Sequence, residues 1–137
     1  MSQTQTTQTT QTTPVHHALN WFEIPVRDMD RAQAFYEALL AKPLRREAMG
    51  PQTLAVMPYD EGGSGGALLA SATAPEPSMN GSLVYLNVAP SLDAAVARAV
   101  AAGARIVTPR VDLPEGMGSF VHIADSEGNR VGLHALA

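Results

Sequence analysis

Asn20-Trp21-Phe22-Glu23-Ile24-Pro25-Val26-Arg27-Asp28-Met29-Asp30-Arg31-Ala32, running on to Phe35-Tyr36, is the stretch whose reading decides the fold. β-Branched and aromatic residues over 21–26 favour a strand. Period-two geometry sets Trp21, Glu23 and Pro25 on one face and Phe22, Ile24 and Val26 on the other. Asp28 then serves as the N-cap of a helix in which Ala32, Phe35, Tyr36, Leu39 and Leu40 recur at i, i+3, i+4, i+7 and i+8. That apolar stripe ends near Lys42, with Pro43 as the stop. The aliphatic face of the strand belongs against the helix, which leaves Trp21 and Glu23 on the opposite side.

The pattern returns later in the chain. At an offset of 62, residues 21–26 overlie 83–88, within a second strand read over 82–88. Pro90-Ser91 leads from it into a helix from about Leu92 to Ala102, with the stripe Leu92, Ala95, Val96, Ala99 and Val100, Ser91 as cap and Gly103 as left-handed stop. Between the two copies, residues 52–58 read as a strand and 67–70 as its returning partner. The glycines of 59–66 read as a loose hairpin connection, not a phosphate cradle, because no lysine or following helix accompanies them. Residues 73–81, with Pro75, Pro77 and Asn80, have linker composition. After the second helix come a strand at 105–108, a loop at 109–118, a strand at 120–124, a tight turn at 125–129 using Gly128 for positive φ, and a last strand at 130–136. Glu61-Gly62 overlies Glu127-Gly128 at an offset of 66. A strand, a helix and about three short strands, written twice, predict an α+β chain of tandem βαβββ modules, one over about 17–74 and the other over about 82–136.

At 137 residues the chain has the length of one domain, placed at 15–137. Residues 1–14 form a Gln/Thr-rich tail that is expected to be disordered, since it offers too little apolar surface to offset its ordering entropy. A hydrophobic content of 45% and a charged content of 16% are ordinary for a soluble protein. The net charge of −4 gives no basic footprint, so no nucleic acid is expected as a partner. Cysteine is absent, which excludes disulfides and thiolate chemistry and is compatible with a cytoplasmic setting. No apolar run approaches the roughly 20 residues of a membrane span, so no membrane partner is expected.

Val26-x-Asp28-x-Asp30-Arg31-Ala32 with Phe35-Tyr36, the Leu92-Asp93-Ala94-Ala95 helix ending in Ala101-Ala102-Gly103, and the final Asp125-x-x-Gly128-Asn129 hairpin together resemble the vicinal oxygen chelate superfamily. That group contains glyoxalase I, bleomycin-resistance proteins and extradiol dioxygenases. The likeness covers roughly residues 17–136 and rests on the order and spacing of the motifs. It implies a glyoxalase-like fold, with mixed sheets curled around a cavity, one helix per module outside, and often a dimer. In the enzymes it also implies a divalent metal held by His and Glu on cavity-facing strands. Carried over position by position, those metal positions fall on Trp21, Leu83 and Gly132, whose side chains offer no nitrogen or oxygen lone pair to such an ion. The expectation is therefore a chain without the usual metal ligands and without a cofactor.

Alternation puts Trp21 with Glu23, Tyr85 with Asn87, and Gly132 with His134 on the cavity side. An aromatic wall with a carboxylate, a phenol, an amide and an imidazole is the mixture that small-molecule sites use. Glu23 and His134 are the catalytic candidates, as base and acid partner. Trp21, Tyr85, Asn87 and His122 are the ligand-binding candidates. The bland alternatives are a solvated or arginine-paired Glu23, an edge-exposed His134, and a His122 turned by a bulge. His16 and His17 are adjacent, so on a strand they would point to opposite faces and could not easily share one ion. The methionines are core fillers, with Met57 and Met117 near enough to loops to touch a ligand, and Asp125 and Asn129 set the turn. The leading reading is a protein that binds a small organic molecule in a partly apolar cavity, as a homodimer. The alternatives are an enzyme of lyase, isomerase or dioxygenase type using Glu23 and His134 or a rearranged metal site, and a non-catalytic dimerisation or regulatory module.

Overall fold

Strand β1 (Trp21–Pro25) and helix α1 (Met29–Leu40) form where the alternation and the apolar stripe place them in the computed structural model, which describes residues 17–137. The expectation of a disordered tail at 1–14 lies outside the described residues. Asp28 caps α1 by accepting from the Arg31 N–H at 3.0 Å, and Ala41, in the left-handed region at φ 57°, ends it. Strands β2 (Arg45–Met49), β3 (Gln52–Val56) and β4 (Gly65–Ala70) complete the first module. The second repeats the order with β5 (Tyr85–Asn87), α2 (Leu92–Ala101), β6 (Arg105–Asp112), β7 (Ser119–Ala124) and β8 (Arg130–Ala135).

Each module makes a four-stranded mixed sheet, ordered β1-β4-β3-β2 and β5-β8-β7-β6. The β1/β4 and β5/β8 pairs are parallel and the others antiparallel. The Val26 N–H donates to the Leu69 carbonyl and the Val88 N–H to the His134 carbonyl, both at 2.9 Å. The same bond at both strand ends fixes the offset of 62 as a structural equivalence. Tyr85 thus stands where the first module has Glu23.

Phe35, Tyr36 and Leu39 of α1 and Leu92, Ala95 and Ala99 of α2 join Ile24, Ala55 and Leu68 from one sheet and Leu86, Ile123 and Leu133 from the other in one buried cluster. Full burial of each large aliphatic side chain is worth about 1.5–3 kcal/mol, so this shared core is the main cohesive term. The helices touch directly, with Arg98 Nε donating to the Leu39 carbonyl at 3.1 Å. Both sheets turn their apolar faces to this helix pair, and their opposite faces point away from it.

Several boundaries differ from expectation, each for a physical reason. Strand β2 is added; its Arg45, Arg46 and Glu47 give no apolar alternation because it is the edge of its sheet. β5 pairs over only three residues, Tyr85–Asn87. β6 runs through Pro109 to Asp112, into the segment read as loop; it is also an edge strand, where a missing N–H is tolerated, and its register shifts on both sides of Thr108. Gly65 and Gly66 belong to β4 and not to the connection. A Cβ at Gly65 would run into the Tyr59 ring, and one at Gly66 into the Phe22 ring.

The turn at 125–129 does more than reverse the chain. It docks on the first module, where Glu127 Oε1 accepts from the N–H groups of Arg27 and Asp28 at 2.9 and 3.0 Å. Arg31 Nε donates to Glu127 Oε2 at 2.7 Å. The Asn129 side-chain amide donates to the Pro25 carbonyl at 2.8 Å, and the Tyr36 hydroxyl donates to Asp125 Oδ2 at 2.6 Å. Burial, then the charge of Asp125 and this hydrogen bond, raise the Tyr36 phenol well above its ordinary value. The Glu127 side chain has 0% of its surface exposed. Burial alone would raise its pKa, but the donors from Arg31, Asp28, Arg27 and Ser126 outweigh that and hold it at about 2.

A carboxylate depressed in the fold stabilises it above its unfolded pKa of about 4.3 and loses that contribution as pH falls toward the folded value. With a folded value of about 2, the loss falls between about pH 5 and pH 2 and amounts to on the order of 3 kcal/mol. Glu127→Gln is expected to lose a similar amount at pH 7 and to flatten the acid limb. Urea unfolding of both proteins from pH 7 to pH 2 checks this; an unchanged acid limb would remove Glu127 as its source.

Candidate functional site

The open face of the second sheet follows from its register. Across it, Tyr85 lies opposite Gly132 and Asn87 opposite His134. Phe120 lies opposite His134, His122 opposite Gly132, and Ala124 opposite Arg130; Thr108 faces His122 and Val111 faces Phe120. None of these positions carries a carboxylate. Gly132 has no side chain between β5 and β7, so the Tyr85 ring lies across it, and any Cβ there would collide with that ring. The ring's reach brings its hydroxyl to His122 Nε2 at 2.7 Å. Arg130 approaches the other nitrogen, with Nε and Nη2 at 3.2 and 3.1 Å from Nδ1, and Nη2 also donates to Thr108 Oγ1 at 2.9 Å.

Aromatic packing surrounds this chain of hydrogen bonds. Phe120 stacks on His122 with centroids 5.1 Å apart and meets the Tyr85 edge at 5.6 Å. His122 is only 8% exposed, whereas Tyr85 remains 47% exposed. Burial, and secondarily the positive charge of Arg130, lower the His122 pKa, which keeps the ring neutral near pH 7. His134 Nε2 lies 2.7 Å from the Met117 carbonyl, which only accepts, so Nε2 is the donor. Beside these residues opens a cleft of about 420 Å³ lined by Tyr85, Asn87, Ala89, Pro90, His134 and the C-terminal residues.

The corresponding face of the first sheet is different. Leu54, Val56, Ala67 and Leu69 form a small buried cluster on it, so much of this face is carpeted by the chain's own side chains. At its rim Trp21, 39% exposed, meets Tyr59 edge-on at 6.2 Å, and Trp21 Nε1 donates a long hydrogen bond of 3.4 Å to Glu23 Oε2.

The sequence-based candidates thus divide between two sheets. Tyr85, Asn87, His122 and His134 come together on the second, with His122 on the open face. Trp21 and Glu23 stand on the first, and the cleft beside His134 does not include Glu23. The proposed base and acid partner thus stand on different sheets. Met57 is buried in the core, whereas Met117 is half exposed. Phe120, Arg130, Thr108 and Tyr59 went unread. The first two were accessible, since counting outward from the turn at 125–129 pairs Ala124 with Arg130 and then Phe120 with His134.

The donor set can be tested against a divalent ion. Trp21 packs on Tyr59 and offers no lone pair, Leu83 is aliphatic, and at Gly132 the space a carboxylate would need is filled by the Tyr85 ring. These residues do not fit the metal of the resembled enzymes. Among the described residues no group of three or more His, Cys, Asp or Glu is arranged to hold one, and no described helix is long and apolar enough to cross a membrane.

A family model described as the Glyoxalase/Bleomycin resistance protein/Dioxygenase superfamily matches residues 18–133. Among solved structures, a glyoxalase I variant from Zea mays superposes with a TM-score of 0.62 at 18% identity, covering 85% of this chain and 45% of the maize chain. This chain thus spans about half of that protein. A family enzyme from Burkholderia phytofirmans gives a TM-score of 0.60 at 18% identity, covering 86% of this chain and 98% of the other. A glyoxalase/bleomycin resistance protein from Albidiferax ferrireducens gives 0.63 at 20%, covering 87% and 98%. At these identities the structural likeness establishes the fold alone. No curated protein matches the chain in sequence.

Gly132 is not in the left-handed region, so replacing it tests packing rather than backbone strain. Gly132→Ala is expected to push the Tyr85 ring aside, break its bond to His122, and lower stability by about 1–3 kcal/mol. Urea unfolding measures the loss, and a variant as stable as the parent would show that the ring does not rest there.

Proposed function

Because the chain belongs to the glyoxalase/bleomycin resistance protein/dioxygenase superfamily, we propose that it binds a small organic molecule on the open face of its second sheet. The observation that carries this reading is the Tyr85 ring laid across Gly132 and hydrogen-bonded to His122, beside a cleft that Asn87 and His134 line. Apolar surface with a few fixed polar groups is the ordinary make-up of such a site. Tyr85 and Phe120 provide the flat apolar part, and Asn87 and His134 the hydrogen-bonding part. No divalent metal is assigned to the positions of Trp21, Leu83 and Gly132, whose side chains could not hold one.

A homodimer belongs to the same proposal. Trp21, Met49 and Tyr59 of the first module and Tyr85, Val111 and Met117 of the second are exposed apolar or aromatic side chains, the kind of surface that contacts between copies cover. Seating the first sheet of one copy over the second sheet of another would cover both faces. It would also bring Trp21 and Glu23 to the rim of the partner copy's site, which one chain alone does not do.

Sedimentation equilibrium is expected to give twice the chain mass of 14.4 kDa. A fragment screen, read through the emission of the single tryptophan and by thermal shift, is expected to return planar organic compounds. Tyr85→Ala should weaken them by about tenfold or more, which corresponds to roughly 1.4 kcal/mol. A monomer at all concentrations together with an empty screen would sink the reading.

A further inference from the structure

A guanidinium has donors only. With Arg130 Nε and Nη2 at 3.2 and 3.1 Å, His122 Nδ1 must present its lone pair. In the neutral ring the proton then sits on Nε2, which lies 2.7 Å from the Tyr85 hydroxyl oxygen. The imidazole donates and the phenol oxygen accepts, so the proton of the Tyr85 hydroxyl is turned away from His122. The polarity of the chain is thereby set: Arg130 to His122, His122 to Tyr85, and Tyr85 outward.

A second observation concerns charge. Among the described residues, Arg130 takes part in no ion pair. Its strand neighbours across the open face carry no carboxylate, whereas the matching face of the first sheet carries Glu23 and Glu47. A half-buried cation left without a counter-charge favours an anion nearby, more strongly than in bulk water because part of the solvent is excluded.

Resting on the small-molecule reading above, we propose that the site takes a planar organic anion, an aromatic carboxylate or its like, whose oxygen accepts the hydrogen bond of the Tyr85 hydroxyl. Arg130 is the positioning residue: it acts through His122, fixing the tautomer that makes Tyr85 a donor toward the ligand. The ring of the ligand lies against the exposed Tyr85 ring and the half-buried Phe120, where aromatic pairs prefer offset or edge contacts. A neutral amide of the same shape keeps the apolar contact and loses the charge, and an amine places a cation near Arg130.

Two measurements on the intact protein test this. Long-range proton–nitrogen NMR at pH 7 is expected to show His122 as the Nε2–H tautomer, and as a mixture in Arg130→Met. Calorimetric titration with 2-naphthoate, 2-naphthamide and 2-naphthylmethylamine is expected to favour the carboxylate over the amide by about tenfold, the scale of one charge-assisted hydrogen bond, with the amine weakest. Tyr85→Phe, which leaves the ring in place, should erase most of that preference, and Arg130→Met should do the same. An Nδ1–H tautomer in the parent protein, or equal binding of carboxylate and amide, overturns the proposal. Equal binding would leave the small-molecule reading standing. Failure of all three probes overturns the proposal too, and only an empty fragment screen alongside it would remove the broader reading.

Discussion

Glu127 stands at the tip of the last hairpin, yet its side chain is closed off from solvent and its charge is met by the first module. Two backbone N–H groups at the β1–α1 junction and the Arg31 guanidinium take up its two oxygens. A buried carboxylate without such partners would cost several kcal/mol, so the ionised group is compatible with the fold only when the two modules are docked. Asn129 and Asp125 add bonds to the Pro25 carbonyl and the Tyr36 hydroxyl on the same seam. Shared apolar burial between α1 and α2 provides most of the cohesion, but it is non-directional. The Glu127 seam is directional, and it fixes how the second sheet stands relative to the first.

With the helices packed together, each sheet has one face committed to the core and one turned away. The repeat is not chemically symmetric on those outer faces. The first is largely covered by Leu54, Val56, Ala67 and Leu69. The second carries the ordered polar chain of Tyr85, His122, Arg130 and Thr108 under an aromatic edge. Duplication supplies the frame, and the difference between its copies singles out the second face. Glu23 and Tyr85 are equivalent by position but not by surroundings: the first receives a long bond from Trp21, the second is held by His122.

The superfamily assignment accounts for the frame, and what is done on it belongs to the site. At Gly132 the missing side chain makes room for a phenol ring. The local consequence is a hydrogen-bonding surface built from side chains, with its proton positions ordered by an arginine.

Periodicity by itself determined the two modules, both helices with their Asp28 and Ser91 caps, and the faces of β1, β5 and β8, because these follow from local geometry and from which residues are apolar. Alternation also set Tyr85, Asn87 and His134 on the open face, whereas it left the face of His122 undecided. The edge strand β2 and the continuation of β6 through Pro109 escaped it, since edge strands bury little and need no clean alternation. Asp125 and Asn129 were legible as turn residues, but their second role, and all of Glu127's, depend on a surface some hundred residues away in sequence. Gly65 and Gly66 read as flexibility and are in fact room for the Tyr59 and Phe22 rings. Only the tertiary structure decided the neighbours, placing Glu23 and His134 on different sheets and joining His122 to Tyr85 and Arg130. The reason is that strand order and register across a sheet are set by long-range pairing, which no local pattern in the chain encodes.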